Sequence, residues 1–415
     1  MGSADLSALG RRARDAARVL ASASSALRDD ALLRAAELLE AETGPLLAAN
    51  ELDLARGREQ GLSETALDRL ALTPARIAAM AEGLRDVAAL PDPVGEIEDG
   101  WRRPNGLNVS RVRVPLGVVG IIYENRPNVT SDAAALCLKA GNAALLRGSS
   151  AALASNQAIV SVLRRALAKA GLPEDAVVLV EDTSRETVVE FMRLRGLIDC
   201  LVPRGGRDLI ATLIEHATVP YVLDGDGNCH VYVDAAADLA MAEEIVVNAK
   251  VQRPGVCNAA ESLLVHRDVA AAFLPRVARA LAGVELVGDE RVREVLPDVA
   301  AATDEDFATE FLALKLAVGV VDDLDGAIAH IDRYGSGHSE VIVTGDVVAA
   351  ERFVREVDAA AVLINASSRF IDGGELGLGA EVGISTQKLH ARGPMGVREL
   401  TCLKWVVRGE GQVRR

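Results

Sequence analysis

Residues 114–147 read VPLGVVGIIYENRPNVTSDAAALCLKAGNAALLR, and the fold follows from them. The run 114–123 is continuously apolar and rich in Val and Ile, without the polar alternation of a half-exposed strand, as expected of a parallel strand buried on both faces. Thr130, Ser131 and Asp132 supply N-cap chemistry for a helix over 133–140, which Gly141-Asn142 ends. AALLR at 143–147 is the next strand. Strand, helix and strand in this order predict a parallel sheet with helices on both faces.

Working outward, the alternation continues with a helix over 151–170, closed by Gly171-Leu172-Pro173, and strands at 176–181, 197–203 and 220–224. A second series has strands at 229–234, 261–266, 316–321, 340–345 and 360–366. Helical segments lie between them at 238–249, 268–282, 323–332 and 346–356. Toward the N-terminus, residues 4–90 are rich in Ala, Leu, Arg and Glu. Leu32, Leu33, Ala36, Leu38 and Leu39 fall near one helical face, Gly44-Pro45 breaks the run, and Pro91-Asp92-Pro93 closes the layer. GWRRPNGLNVSRVRV at 100–114 reads as a hairpin turning at Pro-Asn-Gly, and ELTCLKWVVRG at 399–409 is strand-like. The fold class is therefore α/β: two parallel-sheet domains plus a small β element suited to assembly. The divisions expected are 1–98 with 112–226, then 227–366, with 99–111 and 367–415 forming the hairpin and C-terminal segment.

The chain has 415 residues, of which 50% are hydrophobic and 25% charged, a composition that excludes global disorder. No apolar run approaches the roughly 18–20 residues of a membrane span, and residues 1–30 lack the apolar core of a signal peptide. The 45 Lys and Arg against 60 Asp and Glu leave a net charge of −15, which argues against nucleic acid as a partner. An anionic substrate must then be drawn in by local arginines. Cys137, Cys200, Cys229, Cys257 and Cys402 form no CxxC pair, so the chain reads as reduced and cytoplasmic.

No G-x-G-x-x-G, P-loop or HExxH occurs, and the six histidines are scattered, so no metal site is expected. The informative segment is Val251-Gln252-Arg253-Pro254-Gly255-Val256-Cys257-Asn258. A Cys after Pro-Gly and before a strand sits on a tight connection from which it can project into a cleft. A free thiol needs a cation or amide dipoles to act as a nucleophile, and Arg253 is a candidate. Position alone leaves open a purely structural Cys in a turn.

RPGVCNA (253–259), YENRPNVTSDAAALCLKAGNAALLRGSS (123–150) and HIDRYGSGHSEVIVTGD (330–346) resemble the gamma-glutamyl phosphate reductase family. These are the glutamate-5-semialdehyde dehydrogenases of the aldehyde dehydrogenase superfamily, and the match runs from Leu6 to Val407. The resemblance implies an aldehyde dehydrogenase-like pair of cofactor-binding and catalytic domains with a β oligomerisation element. It implies NADPH-dependent reduction of L-glutamyl 5-phosphate to the 5-semialdehyde in proline biosynthesis, through a thioacyl intermediate on Cys257. Asn125 takes the place of the superfamily's oxyanion-binding Asn. Arg147-Gly148-Ser149-Ser150 stands where a Lys-Pro-x-Glu segment holds the adenosine ribose. Replacement of that acid by Ser150, with Arg147 close by, favours a 2′-phosphate and hence NADPH. Gly205 and Gly206 open a helix after a strand, where amides can meet a pyrophosphate. Glu310 matches the acid that holds the nicotinamide ribose.

For the substrate's anionic groups the candidates are Arg126, Arg253 and Arg369, with Lys388 and His390 on a polar loop late in the chain. Hydrolytic relatives carry a water-activating Glu ahead of the Cys. At that spacing stands Leu223, followed by Asp224-Gly225-Asp226-Gly227-Asn228, so phosphate rather than water is expected to exchange with the thioester. A hydrolytic semialdehyde dehydrogenase, with Asp224 or Asp226 as the base, is the alternative within enzymes. A catalytically inactive protein of the same shape is the alternative outside them. The short life expected of the acyl phosphate suggests a contact with glutamate 5-kinase, and the superfamily pattern suggests a homo-oligomer.

Overall fold

The computed structural model describes residues 3–223 and 225–414. The chain divides into two compact units, one of residues 3–223, 377–383 and 395–414, the other of residues 225–376 and 384–394.

The first unit begins with helices α1 (Ser3–Leu20), α2 (Ser25–Ala41), α3 (Thr43–Glu59), α4 (Glu64–Leu70) and α5 (Pro74–Ala89). Gly44-Pro45 falls in the first turn of α3, where a missing N–H is harmless, so the run restarts at once after Glu42. Then come β1 (Ile97–Arg102), β2 (Asn108–Pro115), β3 (Val118–Tyr123), α6 (Asn128–Lys139), β4 (Ala143–Arg147), α7 (Leu153–Lys169), β5 (Val177–Leu179), α8 (Arg185–Met192), β6 (Cys200–Arg204) and α9 (Arg207–His216). A parallel sheet runs β5-β4-β3-β6 among the described residues. Every residue of β3 and β4 is buried, which is why β3 reads as an unbroken apolar run and β4 as one up to Arg147.

Two local expectations need correcting. Helix α6 starts at Asn128, with Pro127 already helical at φ −57°, so Thr130–Asp132 lie inside it. The Thr130 hydroxyl caps nothing; it is buried between Tyr123 Oη and Asn156 Oδ1, at 2.8 and 2.9 Å. The run expected as a strand at 220–224 makes a single bridge, Tyr221 with Leu201. Pro220 has no N–H with which to extend the ladder, and Asp224 lies outside the described residues.

The second unit holds β7 (Cys229–Val233), α10 (Leu239–Val251), β8 (Ala260–His266), α11 (Arg267–Ala280), β9 (Glu285–Gly288), α12 (Glu290–Val295), β10 (Ala300–Ala301), α13 (Asp304–Phe307), β11 (Lys315–Val321), α14 (Leu324–Tyr334), β12 (Ser339–Val343), α15 (Val347–Glu356) and β13 (Ala361–Ile364). Its strands run β10-β9-β11-β8-β7-β12-β13, all parallel. Val231 and Val233 pack with Val246, Phe273 and Val277 on the α10–α11 face. Tyr232 and Ile342 pack with Ile331 and Phe353 on the α14–α15 face.

The C-terminal tail is shared. β14 (Ile384–Ser385) and β15 (Gly393–Pro394) pair within the second unit. β16 (Thr401–Arg408) joins β2 in the first, completing an antiparallel sheet β1-β2-β16. No helix among the described residues is long and apolar enough to cross a membrane.

Candidate active site

Cys257 lies on the connection from α10 to β8 and is partly exposed. Cys137, Cys200 and Cys229 are buried, and burial pushes all three thiols up, Cys200 to about 12. Partial desolvation also raises the thiol of the more exposed Cys402. These four are held as thiols, so none competes for a nucleophile's role.

The Cys257 backbone is clamped from the start of β7. A Cβ on Gly227 would lie 1.6 Å from the Cys257 carbonyl oxygen and 2.6 Å from its Cα, so only glycine lets the two segments approach. The Cys229 thiol donates to the same carbonyl at 3.2 Å. Asn228 is buried and donates from Nδ2 to the carbonyls of Phe307 and Tyr334, both at 2.7 Å. On the other side, Asn258 Nδ2 donates to Ile371 O, and Ser368 Oγ donates to Asn258 O. Cys257 therefore sits between two anchored neighbours.

Two cations belong to this neighbourhood. Arg369 Nε donates to Gln252 Oε1 at 2.8 Å. Burial lowers the Arg369 pKa, Asp372 opposes that, and the charges of Arg253 and Cys257 are both close enough to contribute. Of the remaining substrate candidates in this unit, Lys388 is ion-paired with Asp358, as is Arg392 at 2.8 Å, and His390 is exposed.

Glu310 faces the same backbone: its Oε1 accepts the Gly227 N–H at 2.8 Å. Of the alternative bases, Asp224 lies outside the described residues, while Gly225 beside it donates its N–H to Ile384 O at 3.0 Å. Among the described residues no group of three or more His, Cys, Asp and Glu could hold a metal ion.

In the first unit, Asn125 Oδ1 accepts from Ser149 Oγ at 2.6 Å, which ties the turn after β3 to the end of β4. Arg126 closes that turn, its N–H on Glu124 O at 2.6 Å. Arg147 is buried and donates to the carbonyls of Thr183 and Ser184, so its charge orders the approach to α8. Gly148 has no room for a side chain, since a Cβ would lie 2.2 Å from Asn156 Nδ2. Ser149 and the exposed Ser150 follow, and the segment 147–150 itself carries no acid, although the Asp182 charge acts on Arg147. Before α9, Gly206 N–H is taken by Glu124 Oε1 at 3.3 Å, and a Cβ on Gly205 would meet that carboxylate at 2.7 Å.

Gln252, Gly227 and Asn228 were not singled out as site residues by sequence reasoning. Only the Gly-x-Gly-Asn spacing at 225–228 signals a close backbone approach, and it does not say to what.

A model of the aldehyde dehydrogenase family matches residues 1–296. The gamma-glutamyl phosphate reductases of Heliobacterium modesticaldum and Thermobifida fusca are 56% and 57% identical over 412 residues, 99% of this chain and 99% of theirs. The crystal structure of the Thermotoga maritima gamma-glutamyl phosphate reductase superposes with a TM-score of 0.97 at 49% identity, covering 99% of this chain and 100% of that one. An acetylating aldehyde dehydrogenase from Geobacillus thermoglucosidasius shares the fold, with a TM-score of 0.71 at 18% identity over 100% of this chain and 98% of its own. The chain belongs to the aldehyde dehydrogenase family and, within it, to the gamma-glutamyl phosphate reductases.

Proposed function

We propose that the chain reduces L-glutamyl 5-phosphate to L-glutamate 5-semialdehyde with NADPH, releasing inorganic phosphate, as a step of proline biosynthesis. One observation carries the reading: Cys257 is the partly exposed thiol on a connection held at both ends, with the Arg369 guanidinium within electrostatic reach. Arg253 and Arg369 stabilise its thiolate and suit the phosphate of an anionic substrate against a net charge of −15. The thiolate sulfur attacks the C5 carbonyl carbon, a C–S bond forms, the C–O bond to phosphorus breaks, and phosphate leaves with its electron pair. The oxyanion of each tetrahedral intermediate needs fixed donors. The Cys257 backbone N–H is one, and Asn125, whose Oδ1 is engaged by Ser149, keeps its amide hydrogens for the other. Bound NADPH supplies the hydride that converts the thioester to the aldehyde as the C–S bond breaks and the thiolate returns. Ser149 and Ser150, in a segment that carries no acid, are the residues for the 2′-phosphorylated ribose, and Glu310 is the acid for the nicotinamide ribose. The same reading makes the protein a homo-oligomer through the sheet β1-β2-β16.

The test is semialdehyde oxidation with NADP⁺, with and without inorganic phosphate, on the wild type and Cys257→Ala. Turnover that needs both phosphate and Cys257 supports a thioacyl enzyme resolved by phosphate. Turnover without phosphate would mean that water resolves the thioester, and the assignment would move to a hydrolytic dehydrogenase.

A further inference from the structure

Inside the second unit lies an ion pair that the chemistry above does not use. Lys250 Nζ stands 2.5 Å from Glu261 Oε2, and both side chains are fully buried. Such a pair gains little over two apolar residues of the same size, because desolvation offsets most of the attraction. The second Glu261 oxygen is committed as well: Oε1 accepts the backbone N–H of Leu312 at 3.1 Å.

Leu312 is an unusual residue to hold. Its φ is +52°, in the left-handed region that a branched side chain avoids, and its side chain is 46% exposed, so packing does little to offset the strain. The bond to Glu261 is what stabilises that conformation. Two residues earlier in the same turn is Glu310, whose Oε1 takes the Gly227 N–H at 2.8 Å, where Gly227 abuts the Cys257 carbonyl. The turn brings two carboxylates together. Burial pushes Glu261 up to about 7, Lys250 pulls it down, and the nearby charge of Glu310 adds to the rise. Lys250 is the cation that lets both carboxylates remain.

We propose that Glu261, balanced by Lys250, is a positioning residue for Glu310: by holding the Leu312 amide it fixes the strained turn that aims Glu310 at Gly227 and at the ribose of the cofactor. The consequence for cofactor binding rests on the reading of Glu310 given above. The consequence for the turn does not.

Glu261→Gln tests it, because an amide offers one accepting oxygen and cannot serve both Lys250 and the Leu312 N–H. With that charge-assisted bond lost, the Kd of the free enzyme for NADPH, by fluorescence titration, should rise about tenfold while kcat changes by less than about twofold. Hydrogen exchange in a peptide spanning 308–314 should quicken. In Lys250→Met/Glu261→Gln the amide oxygen is released to Leu312, and the Kd should return to within about threefold of the wild type. Unchanged exchange at 308–314 in a folded Glu261→Gln protein overturns the proposal, as does a double variant that folds but shows no recovery. Glu310→Gln is the control. If exchange responds to Glu261→Gln but NADPH affinity is indifferent to Glu310→Gln, the ribose role fails and the positioning stands. Should Glu261→Gln not fold, Lys250→Met/Glu261→Leu leaves the Leu312 amide without an acceptor and no charge unpaired. Faster exchange in that folded protein supports the proposal, and wild-type exchange overturns it.

Discussion

At the scale of single residues, Gly227 shows how tightly the Cys257 segment is held. Its φ is not in the left-handed region, so conformational freedom does not explain it; contact does. A methyl group there would lie 1.6, 2.3 and 2.6 Å from three backbone atoms of Cys257, none of which can swing aside as a side chain could. Gly227→Ala must therefore displace either the Cys257 turn or the segment leading into β7, together with the amide that Glu310 accepts. Misplacing a nucleophile by about 1 Å costs on the order of a hundredfold, so kcat/KM should fall by about that factor. The alkylation rate of Cys257 by iodoacetamide should change with it. A Gly227→Ala enzyme with wild-type kcat/KM and alkylation rate would mean that the Cys257 backbone is looser than this packing allows. Local sequence makes Cys257 a candidate, because a Pro-Gly turn before a strand is a local signal, but position alone leaves a structural Cys open and the family resemblance is what singles it out. Gly227 and Gln252 act through approaches to residues remote in sequence or through a neighbour's side chain, and composition carries no trace of either.

At the scale of elements, the strands buried on both faces were the legible part of the fold. β3 appears as an unbroken apolar run and β4 as one up to Arg147, while β7, β8, β11 and β12 carry apolar stretches beside polar residues such as His230, Glu261, Lys315 and Glu340, and each lies inside a parallel sheet. Where reading failed, the signal was tertiary. β9 and β10 have 4 and 2 residues, too short for any period, and exist only because β11 offers β9 an edge. The start of α6 was misplaced because Thr130 looks like a cap, whereas its hydroxyl serves Tyr123 and Asn156. Asp53 is a comparable case of long-range capping. It lies fully buried in α3, yet its carboxylate accepts from Ala154 N, Ser155 N and Ser155 Oγ at 3.1, 2.7 and 2.7 Å, at the positive end of α7. It thus fastens the N-terminal helical layer to the element that follows Ser149 and Ser150. Asp53→Ala leaves these buried donors unpaired and should cost about 2–3 kcal/mol in urea unfolding. NADPH affinity should weaken in the same variant. A loss below about 0.5 kcal/mol would show that α7 is held by packing alone.

At the scale of the whole molecule, the sheet β1-β2-β16 is left with an exposed face that monomeric surfaces seldom carry. The pairing register puts Trp405, Arg111 and Asp99 in one row and Val407, Val109 and Trp101 in the next. The chain has only two tryptophans, and both stand here, edge to face at 5.6 Å, with Arg111 over Trp405. Trp405 is 59% exposed and Val407 55%. Both edge strands, β1 and β16, also offer unpaired backbone groups, which an isolated protein would be expected to cover or charge. Arg111 and Asp99 are ion-paired at 2.6 Å and so neutralise each other beside the tryptophans, leaving the rows fit to meet a second copy of themselves. If the proposed self-assembly uses this face, Trp405→Lys places a charge at its centre that a symmetric contact must bury twice. Light scattering on a sizing column should then show a lower mass for Trp405→Lys than for the wild type at micromolar concentration. The emission of the remaining Trp101 should also shift to the red on dilution of the wild-type-like control Trp405→Phe. Equal masses for wild type and Trp405→Lys, with circular dichroism unchanged, would place the assembly contact elsewhere and leave this aromatic face without a partner of its own kind.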